Sequence, residues 1–179
     1  MKLSEHFDLD EFRCLCGKCG PLTTDLVDRS LVDNLERLRS MLNDGITPGD
    51  PEHPIIITSG ARCWAHNRAV GGRSASMHLY NPALGVASKA ADVYSPGVPL
   101  GDLYRAALKI PEFKGIGLAP PVAADPARGL KGRVGYLHLD TRAQSSRVMW
   151  GYDERGSMVA LASVLPVLFP GGLVPGEVA

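Results

Sequence analysis

The stretch Val134-Gly135-Tyr136-Leu137-His138-Leu139-Asp140 alternates between two kinds of side chain. On an extended chain, residues two apart share a face. Val134, Tyr136, His138 and Asp140 therefore fall on one side, and Gly135, Leu137 and Leu139 on the other. This is a strand with one face for a core and another that carries ionisable groups. Working outward, Ile55-Ile56-Ile57-Thr58 between Pro54 and Gly60 is a short β-branched run that reads as a buried strand. Ala90–Tyr94 and Gly115–Leu118 read as further strands, and Arg147–Tyr152 as one pairing beside Val134–Asp140. The spacing of Val27, Leu31, Leu35, Leu38 and Leu42 predicts an amphipathic helix, capped by Thr24 or Asp25 and ended by Gly45. Pro99–Ile110 reads as a second helix with Leu103, Ala106, Ala107 and Ile110 inward. Ile46–Pro54 and Ala119–Gly132 are loops by their prolines and glycines. Few helices, short strands and long loops predict an α+β fold, a small antiparallel sheet with flanking helices.

Composition bounds the function. The chain has 179 residues, about one domain, with 19 basic and 19 acidic side chains and no formal net charge. A binder that tracks nucleic-acid phosphates needs a basic surplus, so no nucleic-acid partner is expected. Hydrophobic residues at 45% suffice for a core, and 20 glycines with 14 prolines disfavour a plain helical bundle. The opening Met1–Phe12 is acidic where a secretory signal would be apolar, so synthesis in the cytoplasm without a signal peptide is expected. Gly156–Gly176 holds no charged residue, but Pro166, Pro170 and Pro175 break it, so no membrane span is expected. Residues 1–142 read as the functional domain, and 143–179 as its terminal strand and apolar tail.

Of five histidines, two keep suggestive company. His78 closes Gly71-Gly72-Arg73-Ser74-Ala75-Ser76-Met77, and His138 sits in the alternating strand. Between them Asp92 lies within Ala90-Ala91-Asp92-Val93-Tyr94. A carboxylate in so apolar a run is costly unless paired or bound to a metal. Two imidazoles and a carboxylate make three zinc ligands, leaving a fourth position for water. By spacing alone, a set of separate structural residues stands beside that reading.

The combination Ser59-Gly60-Ala61-Arg62, His66-Asn67, Val70-Gly71-Gly72, Ser76-x-His78, Ala90-Ala91-Asp92 and His138-x-Asp140-x-Arg142 resembles the zinc D-Ala-D-Ala carboxypeptidases. The phage L-alanyl-D-glutamate endolysins and the Hedgehog fold belong to the same superfamily. Leu3-Ser4-x-His6-Phe7 and Asp10-Glu11-Phe12-x-Cys14 resemble the start of its short members, so the likeness runs over residues 3–142. It implies a Hedgehog-like fold, with His78, Asp92 and His138 holding one catalytic zinc. It further implies a zinc-activated water attacking a peptide carbonyl of the peptidoglycan stem. Arg62 is the candidate for gripping a substrate carboxylate or oxyanion; its structural alternative is bonding loop carbonyls. Ser76 resembles a serine near the substrate, or else caps a turn. His66 reads as orienting the Arg62 loop. Asp140 shares a face with His138 and reads either as the base acting on zinc water or as a support for a ligand imidazole or Arg142. Tyr136 shares that face and could donate to an oxyanion. The chain departs from the family pattern H-x-x-G-x-A-x-D: Asp92 follows His78 by 14 positions, Leu79–Val86 reads as an insertion, and Ser88 stands in place of Gly. Ala61 replaces the aromatic residue before Arg62. Gly135 and Tyr136 occupy positions where many relatives carry a Glu or a His.

Cys14-x-Cys16-x2-Cys19 and Cys63 are the four cysteines. They suit a structural zinc, a second ion clipping the N-terminal loop to the Arg62 segment, or else disulfides, or free thiols in a reducing cytosol. The sequence thus points to a monomeric zinc metallopeptidase, either a D-Ala-D-Ala carboxypeptidase or an endolysin-type endopeptidase. It would reach the cell wall by phage-mediated release or as a virion component. The alternative is a non-catalytic, zinc-containing wall-binding or phage tail module.

Overall fold

The structure is a computed structural model describing residues 1–47 and 50–172. The leucine spacing becomes helix α1 (Arg29–Asn43), which fully buries Leu31, Leu35 and Leu38. Its cap is neither Thr24 nor Asp25, since residues 24–26 form a separate 3₁₀ turn. Asp28 caps instead, its carboxylate accepting from the Leu31 N–H at 3.0 Å. The same oxygen accepts the Thr141 hydroxyl at 3.1 Å, which ties the helix start to the sheet. Helix α2 (Trp64–Ala69) was not expected; six residues are too few to show a periodicity. Helix α3 (Leu100–Leu108) matches the second expected helix and packs Leu103, Tyr104 and Ala107 into the core.

The strands are β1 (Ile56–Ser59), β2 (Ala90–Tyr94), β3 (Gly115–Ala119), β4 (Tyr136–Asp140), β5 (Val148–Tyr152) and β6 (Met158–Val159). They form one sheet in the order β1-β2-β4-β3-β5-β6. The fold is α+β, and its strand pairs are antiparallel except one: β5 runs parallel to β3 rather than beside β4. Both edges of β4 are occupied, by β2 and β3. The strand returning from β4 therefore lands on the free edge of β3, where its direction is parallel. Arg147 holds this crossing, donating to the carbonyls of Phe113, Leu108 and Ile110 at 2.8, 3.0 and 2.7 Å.

Ala91, Val93, Ile116, Leu118, Leu137 and Leu139 turn one sheet face into the core, in a single cluster with residues of α1 and α3. The opposite face carries a cross-strand row fixed by register: Asp92, His138, Gly117 and Trp150 on β2, β4, β3 and β5. A second row reads Ala90, Asp140, Gly115 and Val148. The glycines of Gly115-Ile116-Gly117 make this face possible. A Cβ on Gly115 would overlap the Asp140 carboxylate, and one on Gly117 would sit 2.7 Å from the Trp150 indole.

The Leu79–Val86 insertion is largely a closed hairpin. Asn81 and Val86 exchange backbone hydrogen bonds of 2.8 and 2.9 Å, and Pro82–Leu84 makes one 3₁₀ turn. Gly85 takes the left-handed conformation, φ +62°, that favours glycine. Lys89 N–H bonds Met77 O at 2.8 Å, so the chain leaves and re-enters at one place. The spacing of 14 between His78 and Asp92 is thus absorbed outside the site. Asp125–Leu130 repeats the device with the same pattern, an Asn or Asp followed by Pro-Ala-x-Gly and an apolar residue.

In the apolar C-terminal stretch, Val164 and Phe169 are buried in the core, and no helix among the described residues is long and apolar enough to cross a membrane. Residues 48–49 of the Ile46–Pro54 loop and the expected loose end at 173–179 lie outside the described residues.

Candidate metal centre

Asp92 and His138 are direct cross-strand partners, and His78 comes from the loop ahead of β2. Their ligand atoms converge. His78 Nε2 lies 3.2 Å from Asp92 Oδ1 and 3.0 Å from His138 Nδ1, and His138 Nδ1 lies 3.0 Å from Asp92 Oδ1. All three residues are buried. The far atoms of the rings set the protonation. His78 Nδ1 meets the Gly60 carbonyl at 2.7 Å, and a carbonyl only accepts, so Nδ1 carries the proton. His138 Nε2 meets Asp140 Oδ2 at 3.0 Å and likewise donates. In neutral imidazoles this leaves His78 Nε2 and His138 Nδ1 as bare lone pairs, aimed at one another and at a carboxylate oxygen. A cation among them reconciles the three. Tetrahedral zinc with bonds of about 2.0–2.1 Å has ligands roughly 3.3 Å apart, close to the observed triangle. The donor set and its spacing fit zinc.

The electrostatics agree. Burial alone would raise the Asp92 carboxyl, but His78 and His138 hold it well below the usual carboxylate range. Burial pushes the His78 imidazole down, which keeps it a neutral donor of its lone pair. Burial also opposes charge on His138, but Asp140 and Asp92 outweigh it and push this imidazole up, so its surroundings favour a positive charge at Nδ1, which a bound cation would supply in place of a proton. For Asp140, burial is outweighed by Arg142 and then His138, which hold the carboxyl far below its ordinary value.

The other residues singled out in the sequence gather around this triangle in supporting positions. Asp140 is fully buried on the far side of His138. Its oxygens accept from Arg142 Nε at 2.8 Å and from a terminal guanidinium nitrogen at 2.5 Å. It does not face the three-atom cluster from there, so its geometry is that of a support. Arg62 turns to Asp92, donating to Oδ2 at 2.5 Å while its Nε donates to Ser59 Oγ at 2.8 Å. It steadies the carboxylate rather than lying open to solvent. Ser76 Oγ accepts the His78 N–H at 3.3 Å, the turn-capping arrangement. His66 stands outside the triangle, on α2. Tyr136 packs against Tyr152 with ring centroids 6.0 Å apart.

Sequence reasoning missed Trp150, Tyr152 and Gly117. Trp150 lies across Gly117 with its ring centroid 5.2 Å from that of His138, and Tyr152 lies 6.3 Å beyond Trp150. The alternation of Val148, Trp150 and Tyr152 beside the two strand glycines was the available signal.

The four cysteine sulfurs lie within 4.8 Å of one another, and none is in a disulfide.

A buried His-Asp-His centre on the open face of an α+β sheet is a set of residues that could hold a metal ion, and its donors fit zinc. Residues 5–120 match the family model of Peptidase M15, and the chain belongs to that family. No curated protein and no solved structure matches the chain. The matched span includes His78 and Asp92, while His138 lies beyond it and joins them through the pairing of β2 with β4.

Proposed function

We propose that this metallopeptidase hydrolyses peptide bonds in the peptidoglycan stem, as a D-Ala-D-Ala carboxypeptidase or an endolysin-type endopeptidase. The observation that carries this reading is the convergence of two bare imidazole nitrogens and a carboxylate oxygen in a chain of the Peptidase M15 family. His78, Asp92 and His138 would hold zinc, which when bound lowers the pKa of its water and polarises a carbonyl. Gly60, Asp140 and Arg62 keep the three ligands in orientation. Burial first, then the charge of Asp92, pushes the Tyr136 phenol up, so it stays protonated as a donor to a developing oxyanion. Tyr136, Trp150 and Tyr152 form the wall against which a stem peptide would lie. The chain works as a monomer on the wall, with no nucleic-acid partner, after release from the cytoplasm or as part of a virion.

One observation favours a second reading, a zinc-containing wall-binding or tail module without catalysis. Both Asp140 oxygens are engaged by Arg142 and His138, and Gly135 and Tyr136 supply no alternative carboxylate.

The test is digestion of purified peptidoglycan by wild type and His78→Ala, with released fragments identified by mass spectrometry. Free D-Ala identifies a carboxypeptidase, and new stem-peptide amino termini identify an endopeptidase. Both should be lost in His78→Ala. Wall binding without any cleavage by zinc-loaded wild type would replace this reading with the second.

A further inference from the structure

Cys14, Cys16 and Cys19 sit in the N-terminal loop, and Cys63 directly follows Arg62. Folding closes a 49-residue separation between Cys14 and Cys63 to an N–H to sulfur contact of 3.4 Å. Cys16 Sγ lies 3.3 Å from Cys19 Sγ and 3.9 Å from Cys63 Sγ. Tetrahedral zinc with Zn–S bonds of about 2.3 Å sets its sulfurs roughly 3.8 Å apart, whereas a disulfide needs about 2.05 Å. The four sulfurs are therefore spread around a common centre rather than drawn into pairs. Backbone N–H groups face them: Lys18 toward Cys16, Cys63 toward Cys14 and His66 toward Cys63, at 3.3, 3.4 and 3.3 Å. Such donors stabilise thiolates, the form in which cysteine binds metal. All four residues are only half-buried, so core packing does not account for the cluster.

We propose that Cys14, Cys16, Cys19 and Cys63 hold a structural zinc ion, separate from the His78–Asp92–His138 centre. This ion clips the N-terminal loop to the segment that orients the other site's ligands. The segment is already drawn to the loop by Ala61 N–H to Phe12 O at 2.7 Å, and Gly60 is packed so closely on the Phe12 backbone that a Cβ would clash at 2.5 Å. Gly60 then offers its carbonyl to His78, and Arg62 its guanidinium to Asp92. The cysteine site positions these groups and takes no part in hydrolysis. It stands whether or not the other centre proves catalytic.

The experiment measures zinc per full-length chain by plasma emission, together with thiol reactivity and intact mass under non-reducing conditions. Wild type is expected to hold two zinc ions, His78→Ala one, and Cys19→Ser one. Cys19→His keeps a Cys₃His ligand set and should retain both. Wild-type thiols should resist a thiol reagent until a chelator is added. Cobalt substitution guards against misfolding of the serine variant, since wild type and His78→Ala should both show sulfur-to-cobalt charge-transfer bands. The proposal is overturned if cobalt-loaded wild type lacks those bands. It is equally overturned if Cys19→Ser keeps the full zinc content of wild type, or if the intact mass shows two hydrogens lost per cysteine pair. Loss of peptidoglycan cleavage alone bears on the peptidase reading and leaves this one standing.

Discussion

Each ligand atom of the His-Asp-His centre is fixed from behind by one group: His78 by the Gly60 carbonyl, His138 by Asp140, and Asp92 by Arg62. Such supports set ring tautomer and orientation, and their loss typically weakens metal binding about 10–100-fold. Asp140→Asn should therefore retain the fold and bind zinc about 10–100-fold more weakly, as measured by chelator competition. A variant unchanged in affinity would show that Asp140 is only a partner for Arg142. Gly115 belongs to the same arrangement, because Asp140 fills the space where its side chain would be. Gly115→Ala should cost about 1–3 kcal/mol through overpacking and weaken zinc binding too. The comparison to make is its thermal midpoint and zinc affinity against those of Ile116→Val, a change on the opposite face.

At the scale of elements, Asp28 has two duties. It caps α1 through the Leu31 N–H, and it receives the Thr141 hydroxyl just past β4. Asp28→Ala should cost about 1 kcal/mol as a lost cap and lower the melting temperature by roughly 2–4 °C. Asp28→Ser, which can still cap, should recover most of that in a thermal melt. The elements themselves are largely legible in the sequence. The 3–4 spacing of leucines marked α1, and alternation marked β4 with His138 and Asp140 on one face. The cap was misplaced because Thr24, Asp25 and Asp28 are all competent caps, and only the 3₁₀ turn at Thr24–Leu26 decides among them. The direction of β5 was hidden because pairing depends on which sheet edge is free, and no local pattern encodes that. His78, Asp92 and His138 stood out as chemistry in unusual surroundings. Whether Asp140 faced the ligand triangle or the back of a ring was beyond reach, since alternation assigns a face and not a direction within it. Trp150 was overlooked because its place by His138 depends on Gly117, two strands' register away from any motif.

At the scale of the whole molecule, the N-terminal loop is joined to the rest of the chain at several points, and one is sensitive to acid. Glu36 on α1 accepts the His6 backbone N–H and faces the His6 ring, both at 2.8 Å. Burial works against its charge, yet the Ser4 hydroxyl and then the His6 contacts hold this carboxyl below its ordinary value. A depressed carboxyl stabilises the fold above the unfolded-state value, and that stability is lost as pH falls through the lower folded value. Wild type should therefore melt higher than Glu36→Gln at pH 7, and the gap should close in strong acid. An unchanged gap at low pH would assign the effect to packing. The turn at Asn81–Val86 has a different consequence, for engineering. Its base is already closed by Met77 and Lys89, and Leu84 at its tip is 74% exposed. An affinity tag or fluorescent reporter spliced into that tip should leave His78 and Asp92 in place. The enzyme thus has a built-in attachment point for cargo.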